Sequence, residues 1–233
     1  MSDDLQMLSQ PTTIGESAYQ KIRSDIVFGR LPPGKKLKLE RLKADYGASV
    51  STLREILNRL HSERLVIAEG QKGFEVAPVS IANLREIAAL RQLLECRALE
   101  QSFRAGDMEW EGRVVAAHHR LARMEAQMAQ GDRAHTEEWK RYDWQFHQAL
   151  IAACGSKMLI DNHAAVFDKY LRYQMIALSY RGDIAADEHA LLMEYALKRD
   201  AARACEVLKR HVAGGVEHAL ATGTISRRKK EQA

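Results

Sequence analysis

Residues 38–77, KLERLKADYGASVSTLREILNRLHSERLVIAEGQKGFEVA, decide the fold. Leu39, Leu42 and Tyr46 recur at helical spacing. Gly47 then breaks the period, because without a Cβ it takes a left-handed turn cheaply. Ser49 or Ser51 can cap the next helix through its hydroxyl. Leu53, Ile56, Leu57 and Leu60 make that helix's buried stripe. Val66 and Ile67 are expected to pair with Phe74 and Val76 across a turn carrying Gly70 and Gly73. A helix, a tight turn, a second helix and a two-strand hairpin make a winged helix. The second helix of such a unit is shaped to enter a major groove, N-terminal end first.

Working outward, an earlier helix is expected from about Glu16 to Phe28, with Ala18, Ile22, Ile26 and Val27 inward. Gly29-Arg30-Leu31-Pro32-Pro33-Gly34 stops it. Residues 1–15 read as a disordered lead, and the winged helix-turn-helix domain occupies 16–79, with Pro78 at its exit. Beyond Pro78 the sequence contains no proline. Breaks at Gly106-Asp107, Gly131-Asp132, Gly155-Ser156 and Gly182-Asp183 divide it into six helices: 80–105, 108–130, 134–153, 157–180, 184–198 and 200–221. Short turns between them imply an antiparallel bundle over 80–222, followed by a basic tail at 223–233. The expected fold class is mainly α, an N-terminal winged helix-turn-helix plus an all-α antiparallel six-helix bundle.

Composition narrows the setting. Of 233 residues, 46% are apolar, enough for a real core, and only 6% are aromatic. Cys96, Cys154 and Cys205 are an odd number, far apart and without a CxxC, and read as reduced thiols of a cytoplasmic protein. MSDDLQMLSQ has no apolar run of the signal-peptide kind, and no apolar stretch reaches the length of a membrane span. Charge is unevenly spread. From Ala18 to Gly73 there are twelve Lys and Arg against six Asp and Glu, whereas from Val79 to Ser226 there are nineteen against twenty. A basic first third suits a polyanion. A solvated face is the bland alternative, and the coincidence with the winged-helix pattern argues against it. The RRKK run at 227–230 either touches phosphate or frays in solvent.

Two groups of residues carry chemistry. Arg41 on the first helix of the motif and Arg54 in the second are placed for phosphate or guanine, to which Arg donates two parallel hydrogen bonds. Ser49, Ser51 and Thr52 stand at the tip of the second helix, and Gly70, Gln71 and Lys72 at the wing tip, where phosphate or minor-groove contact is expected. Alternatively Arg54 pairs with a carboxylate and the hydroxyls only cap. In the bundle, Asp143 and His147 share the side of Trp139, Phe146 and Leu150. His189 lies at inward spacing from Leu192 and Met193, and His211 from Val207 and Leu208. Polar groups in an apolar interior need partners. A divalent cation (Zn, Ni, Fe or Mn) satisfies all four and leaves coordination open for water or a ligand carboxylate. The other reading makes each a hydrogen-bonded core residue. His118, His119, His135, His163 and His218 read as surface or structural. Arg91 falls in the stripe of Leu84, Ile87, Leu94 and Ala98, where it either clamps an organic acid or pairs with Glu95 at i+4.

The segments YQKIRSDIVFGRLPPG at 19–34, Leu39 to Leu60, LVIAEGQKGFEVAPVS at 65–80, RQLLE at 91–95, DWQFH at 143–147, Glu188-His189 and Arg199 to His211 together resemble a known family. It is the GntR family of transcription regulators, FadR subfamily, with an FCD effector domain. The six effector helices are similar to its VanR-like branch. The resemblance implies a homodimer on a palindrome of double-stranded operator DNA, usually repressing, with DNA contacts from Arg41, Arg54 and the wing at 70–72. It also implies metal ligation by Asp143, His147, His189 and His211, and a small organic acid effector at the metal with Arg91 as an anchor. One departure stands out. Val50 occupies a position where the family usually has Arg, and valine cannot donate to guanine, though it can meet a thymine methyl. Lys36 or Lys38 can restore phosphate affinity but not that base contact. The expected function is a metabolite-responsive repressor released from DNA by the acid. Its rivals are a metal-dependent enzyme, an acyl-CoA-type pocket without metal, and a winged helix used for protein contacts. The enzyme reading lacks an evident general base and leaves the DNA module unexplained.

Overall fold

The computed structural model describes residues 13–68, 73–131, 134–177 and 181–227. The chain forms two compact units that divide between Pro78 and Val79. The wing-tip residues Gly70, Gln71 and Lys72 lie outside the described residues, as do residues 1–12 of the lead expected at 1–15 (Thr13, Ile14 and Gly15 instead open the first helix), Asp132, the last three residues of the expected helix 157–180, and the tail from 228.

The first unit runs α1 (Ile14–Val27), β1 (Lys36–Leu37), α2 (Leu39–Tyr46), α3 (Val50–Ser62), β2 (Val66–Ala68) and β3 (Phe74–Val76). Thr13 caps α1 by accepting from the Glu16 amide at 3.1 Å, so the helix begins two residues before the expected start. Gly47 ends α2 at φ 67°, the left-handed conformation that its position demands. Ser49 caps α3, accepting from the Thr52 amide at 3.2 Å. The stripe of Leu53, Ile56, Leu57 and Leu60 is buried against Ile22, Ile26, Leu65, Val66 and Val76. The sheet has three strands in the order β1-β3-β2, all antiparallel, where a two-strand hairpin was expected. Val66 lies opposite Val76 as expected, whereas Ile67 faces Glu75 and Ala68 faces Phe74. The extra strand is two residues long, too short to carry a period that a pattern can reveal.

The second unit contains α4 (Ile81–Ala105), α5 (Met108–Ala129), α6 (Thr136–Ile151), α7 (Lys157–Ala177), α8 (Asp183–Leu197), α9 (Ala201–Ala221) and α10 (Thr224–Arg227). Ser80, Asp107 and Asp200 cap α4, α5 and α9 through side-chain oxygens, each accepting from the amide three residues on. A Gly-Asp pair is expected to end one helix at the glycine and cap the next with the aspartate, and at Gly182-Asp183 that expectation fails. Gly182, at φ 61°, is itself the cap position of α8, and Asp183 is the first helical residue. The four-residue α10 sits where a plain tail was expected, held by Ile225, which is buried in the bundle core. That core is one cluster drawing Trp110, Val114 and Leu121 from α5, Phe146 and Leu150 from α6, Leu192 from α8, and Leu208 and Val212 from α9. Trp110 donates its indole N–H to the Ala149 carbonyl at 2.9 Å, so even the largest buried ring has its polar atom satisfied.

Candidate metal centre and DNA-reading face

Three helices of the second unit aim polar groups at one point. Asp143 and His147 are one turn apart on α6, on the face that buries Trp139, Phe146 and Leu150. His189 comes from α8 and His211 from α9. All four residues are buried, and one ligand atom from each lies within 4.8 Å of every other.

A second ring of residues orients the first. The Nδ1 of His189 lies 2.7 Å from Glu125 Oε1, and that of His211 lies 3.0 Å from Glu188 Oε2. His147 Nδ1 is hydrogen-bonded to the Glu95 carboxylate. An imidazole donating its Nδ1 proton to a carboxylate turns the Nε2 lone pair outward, the arrangement that metal-binding histidines use. Lys140 Nζ holds Asp143 Oδ2 at 3.2 Å, which leaves Oδ1 for the centre. Oδ1 lies 3.2 Å from His189 Nε2 and 3.6 Å from His147 Nε2. The approach to His189 is close but misaligned. Asp143 Oδ1 and His189 Nε2 are both fully buried, and neither makes a hydrogen bond. Unsatisfied buried polar atoms are costly. Three imidazole nitrogens and one carboxylate oxygen fit a divalent cation of the Zn, Ni, Fe or Mn kind.

The electrostatics favour the ligating form at three of the four residues. Burial pushes the Asp143 carboxyl up, but Lys140 and the imidazoles of His189 and His147 hold it well below the usual carboxylate range. Burial drives His211 down to about 3 against the pull of Glu188, and it also lowers His147. Both are therefore neutral at physiological pH, the form that ligates metal. His189 is the exception. Burial lowers it, yet Asp143 and Glu125 outweigh that and lift it to about 9. Glu188 is raised by burial but held at about 2 by His211 and Arg181.

Four residues of this centre, Glu95, Glu125, Lys140 and Glu188, escaped the sequence reading as parts of the site. Glu95 entered only as a partner for Arg91. That pairing exists, with Arg91 Nε 3.0 Å from Glu95 Oε2. The guanidinium also stacks 4.2 Å from the Phe167 ring centroid, and its Nη2 lies 3.3 Å from His147 Nε2. Arg91 thus makes the intrahelical pair and borders the cluster as well. His163 is wholly buried, bonded to Glu95 Oε2 at 2.9 Å and to Gln148 at 3.0 Å, and takes a structural role.

A small cleft lined by Trp139, Lys140, Gln174, Arg181, His189 and His211 opens beside the cluster. Arg181 Nη1 donates to the His211 carbonyl at 2.9 Å and pairs with Glu188 at 3.0 Å. Next to it, α9 carries two consecutive glycines. A Cβ at Gly214 would fall 2.6 Å from Arg181 Nη2, and one at Gly215 would fall 2.2 Å from the Tyr170 hydroxyl. Their bare backbone lets Arg181 lie against the helix and lets Tyr170 donate to the Val212 carbonyl at 2.9 Å.

In the first unit Arg41, Ser49, Ser51 and Arg54 are solvent-facing, and Thr52 is half-buried. Arg41 is 70% exposed and 3.6 Å from Asp45 on its own helix. Arg54 is exposed, and among the described residues no carboxylate engages it. Ser49 Oγ sits 2.8 Å from Ser51 Oγ and 2.9 Å from Thr52 Oγ1, so the hydroxyls form a cluster at the tip of α3. Val50 is the first residue of α3, half-buried, while Lys36 and Lys38 are exposed.

A winged helix-turn-helix followed by a helical domain with an inward-facing Asp/His cluster defines a class, the regulators that join a DNA reader to a small-molecule domain in one chain. Comparison with known proteins agrees. The model of the bacterial regulatory proteins of the gntR family matches residues 14–76, and that of the FCD domain matches residues 86–214. The chain is 36% identical over 203 residues to the HTH-type transcriptional regulator BphR of Paraburkholderia xenovorans (strain LB400), covering 86% of this chain and 83% of that one. It is 33% identical over 202 residues to the HTH-type transcriptional repressor GlaR of Escherichia coli (strain K12), covering 83% and 90%. The crystal structure of a GntR-type regulator from Rhodococcus sp. RHA1 superposes with a TM-score of 0.71 at 20% identity, covering 89% and 97%. The chain belongs to the gntR family of bacterial regulatory proteins and carries an FCD domain. It is a DNA-binding transcriptional regulator and not an enzyme. Among the described residues no helix is long and apolar enough to cross a membrane.

Proposed function

We propose that the chain is a cytoplasmic homodimeric repressor, released from a palindromic operator by a small organic carboxylate bound at a metal-containing site in the FCD domain. The observation that carries this reading is the facing pair of buried atoms without hydrogen bonds, Asp143 Oδ1 and His189 Nε2, inside a four-residue donor set. Asp143, His147, His189 and His211 hold the cation, with zinc the best match to three nitrogens and one oxygen. When bound, the cation supplies a positive centre with coordination positions open to a carboxylate oxygen. Arg91 stands beside it and contributes a second positive group on the same side as His147. Glu95, Glu125 and Glu188 fix the imidazole orientations, and Lys140 fixes the carboxylate.

In the winged helix, Arg54 reads a base edge and Arg41 holds phosphate. Ser49, Ser51 and Thr52 set the tip of α3 against the backbone, and the wing at Gly70, Gln71 and Lys72 reaches the neighbouring groove. Val50 shifts the preferred operator away from guanine at its position. The acid favours the arrangement that binds DNA less well, with a coupling of ~1–3 kcal/mol. The relative named as a repressor supports the repressing role.

The test is binding of the metal-assayed protein to its own promoter region, titrated with mono- and dicarboxylates. Tight, sequence-specific binding weakened by one acid, with the response lost after chelation, is the expected result. Absence of specific binding at moderate salt with metal present overturns the operator reading. An acid response unchanged in metal-free protein overturns the metal reading.

A further inference from the structure

Two of the three cysteines, far apart in sequence, meet in the bundle. Cys96 lies on α4 and Cys205 on α9. The Cys96 thiol points at the Cys205 carbonyl, 3.9 Å away, and the Cys205 thiol points back at the Cys96 carbonyl, 3.6 Å away. One turn along, Gln92 on α4 donates to the Lys209 carbonyl on α9 at 3.2 Å. Four residues back on α4 thus meet four residues forward on α9, so the helices run antiparallel here with these two side chains in register. The site lies at the edge of the helix pair. Cys96 and Cys205 keep 9% and 8% exposure, and of their neighbours Gln92 is half-buried while Glu100, Glu206 and Lys209 are exposed. Cys154 has a separate setting in the turn after α6, where its thiol meets the Ser156 carbonyl.

We propose that Cys96 and Cys205 form a redox-active dithiol, which a hydroperoxide closes to a disulfide between α4 and α9. The contact between the two side chains is the first cause that lowers the Cys205 thiol below its ordinary range and raises Cys96. Lys209 stands one turn on from Cys205 on α9, whereas Cys96 adjoins the buried carboxylate of Glu95 on α4, so a thiolate is favoured at Cys205, which is the attacking sulfur. In the first step its thiolate bonds to the terminal peroxide oxygen and the O–O bond breaks. The peroxide is reduced by two electrons and leaves as alcohol or water after taking up a proton, and Cys205 becomes a sulfenic acid. In the second step the Cys96 sulfur attacks the Cys205 sulfur. The S–S bond forms, the S–O bond breaks, and the hydroxide leaves as water with the Cys96 proton. The overall change is two thiols and one hydroperoxide to one disulfide, one alcohol and one water. The new bond joins the helix that carries Glu95 to the helix that carries His211. It gives the regulator an oxidant input distinct from its effector.

The experiment treats the full chain, as purified, with one to two equivalents of hydrogen peroxide. Titratable thiols are counted, and peptides are mapped by mass without reduction. Thiols are expected to fall from three to one, with a Cys96–Cys205 cross-linked peptide that dithiothreitol reverses and that Cys154→Ser retains. In Cys96→Ser the sulfenic acid on Cys205 has no resolving partner and is expected to be trapped by dimedone. Three thiols surviving peroxide, cross-links through Cys154, or dimedone labelling on Cys96 in Cys205→Ser at the same rate as on Cys205 in Cys96→Ser would each overturn the assignment. The chemistry is read on the chain itself, so it stands apart from the operator and acid response.

Discussion

The winged-helix unit and the helical unit use polar side chains in opposite ways. On the first, Arg41, Arg54 and the hydroxyls of Ser49 and Ser51 stand in solvent, and their partners are few and local: Asp45 on the same helix for Arg41, and the neighbouring Thr52 for Ser49. In the second, Asp143, His147, His189 and His211 are buried, and the far side of each is tied to Lys140, Glu95, Glu125 or Glu188. The difference follows from what each must meet. A surface that reads DNA exchanges water for phosphate and base edges, so its groups keep their freedom until contact. A buried centre cannot reorganise after its ligand arrives, so its groups are oriented in advance by neighbours that remain in place.

Substitutions that remove a partner test this contrast. The largest effect is expected for Glu95→Ala, which leaves Arg91 uncompensated in the interior and takes hydrogen bonds from His147 and His163. Urea unfolding should show a loss of about 3–5 kcal/mol, and a loss under 1 kcal/mol would mean that the buried network is dispensable. Glu125→Gln keeps the shape but removes the charge that orients His189. A fall in metal affinity of ~10–100-fold is expected, as for other outer carboxylates of metal-bound histidines, measured by competition with a chromogenic chelator. Unchanged affinity would remove Glu125 from the centre. Arg54→Ala should weaken operator binding by about 1–3 kcal/mol and leave metal content alone, and equal affinity in a gel-shift titration rejects its base-reading role. Ser49→Ala should cost only ~1 kcal/mol of stability, the worth of one helix cap. A larger loss would mean that the hydroxyl cluster at the tip of α3 is a rigid unit like the buried centre.

Legibility in the sequence divided along a similar line. The long helices and the turn at Gly47 were readable because periods and breakers are local signals. The two-residue β1 and the four-residue α10 were not, since neither is long enough to show a repeat. The inward spacing of Asp143, His147, His189 and His211 was visible on each helix separately. Their partners were hidden. Glu125 and His189 are 64 residues apart, and nothing local marks Glu125 as interior, because acidic side chains are solvent-facing by default. His163 stays open between surface and structural in the sequence for the same reason, and the structure makes it structural. Its burial becomes tolerable through Glu95 and Gln148, which come from two other helices. First-layer donors sit among apolar neighbours that betray them, whereas the second layer is specified only by the packing of the whole bundle.

The paired glycines of α9 bear on how this domain moves. Each lowers the stability of a free helix by about 1 kcal/mol relative to alanine, so the stretch from Gly214 onward draws its order from what lies against it. Tyr170 and Arg181 occupy that bare backbone, and both bond carbonyls of the preceding turn. The end of α9 and these two side chains are therefore expected to open together. Amide exchange there would report on the grip of Arg181, and through its pairing with Glu188 on the setting of His211.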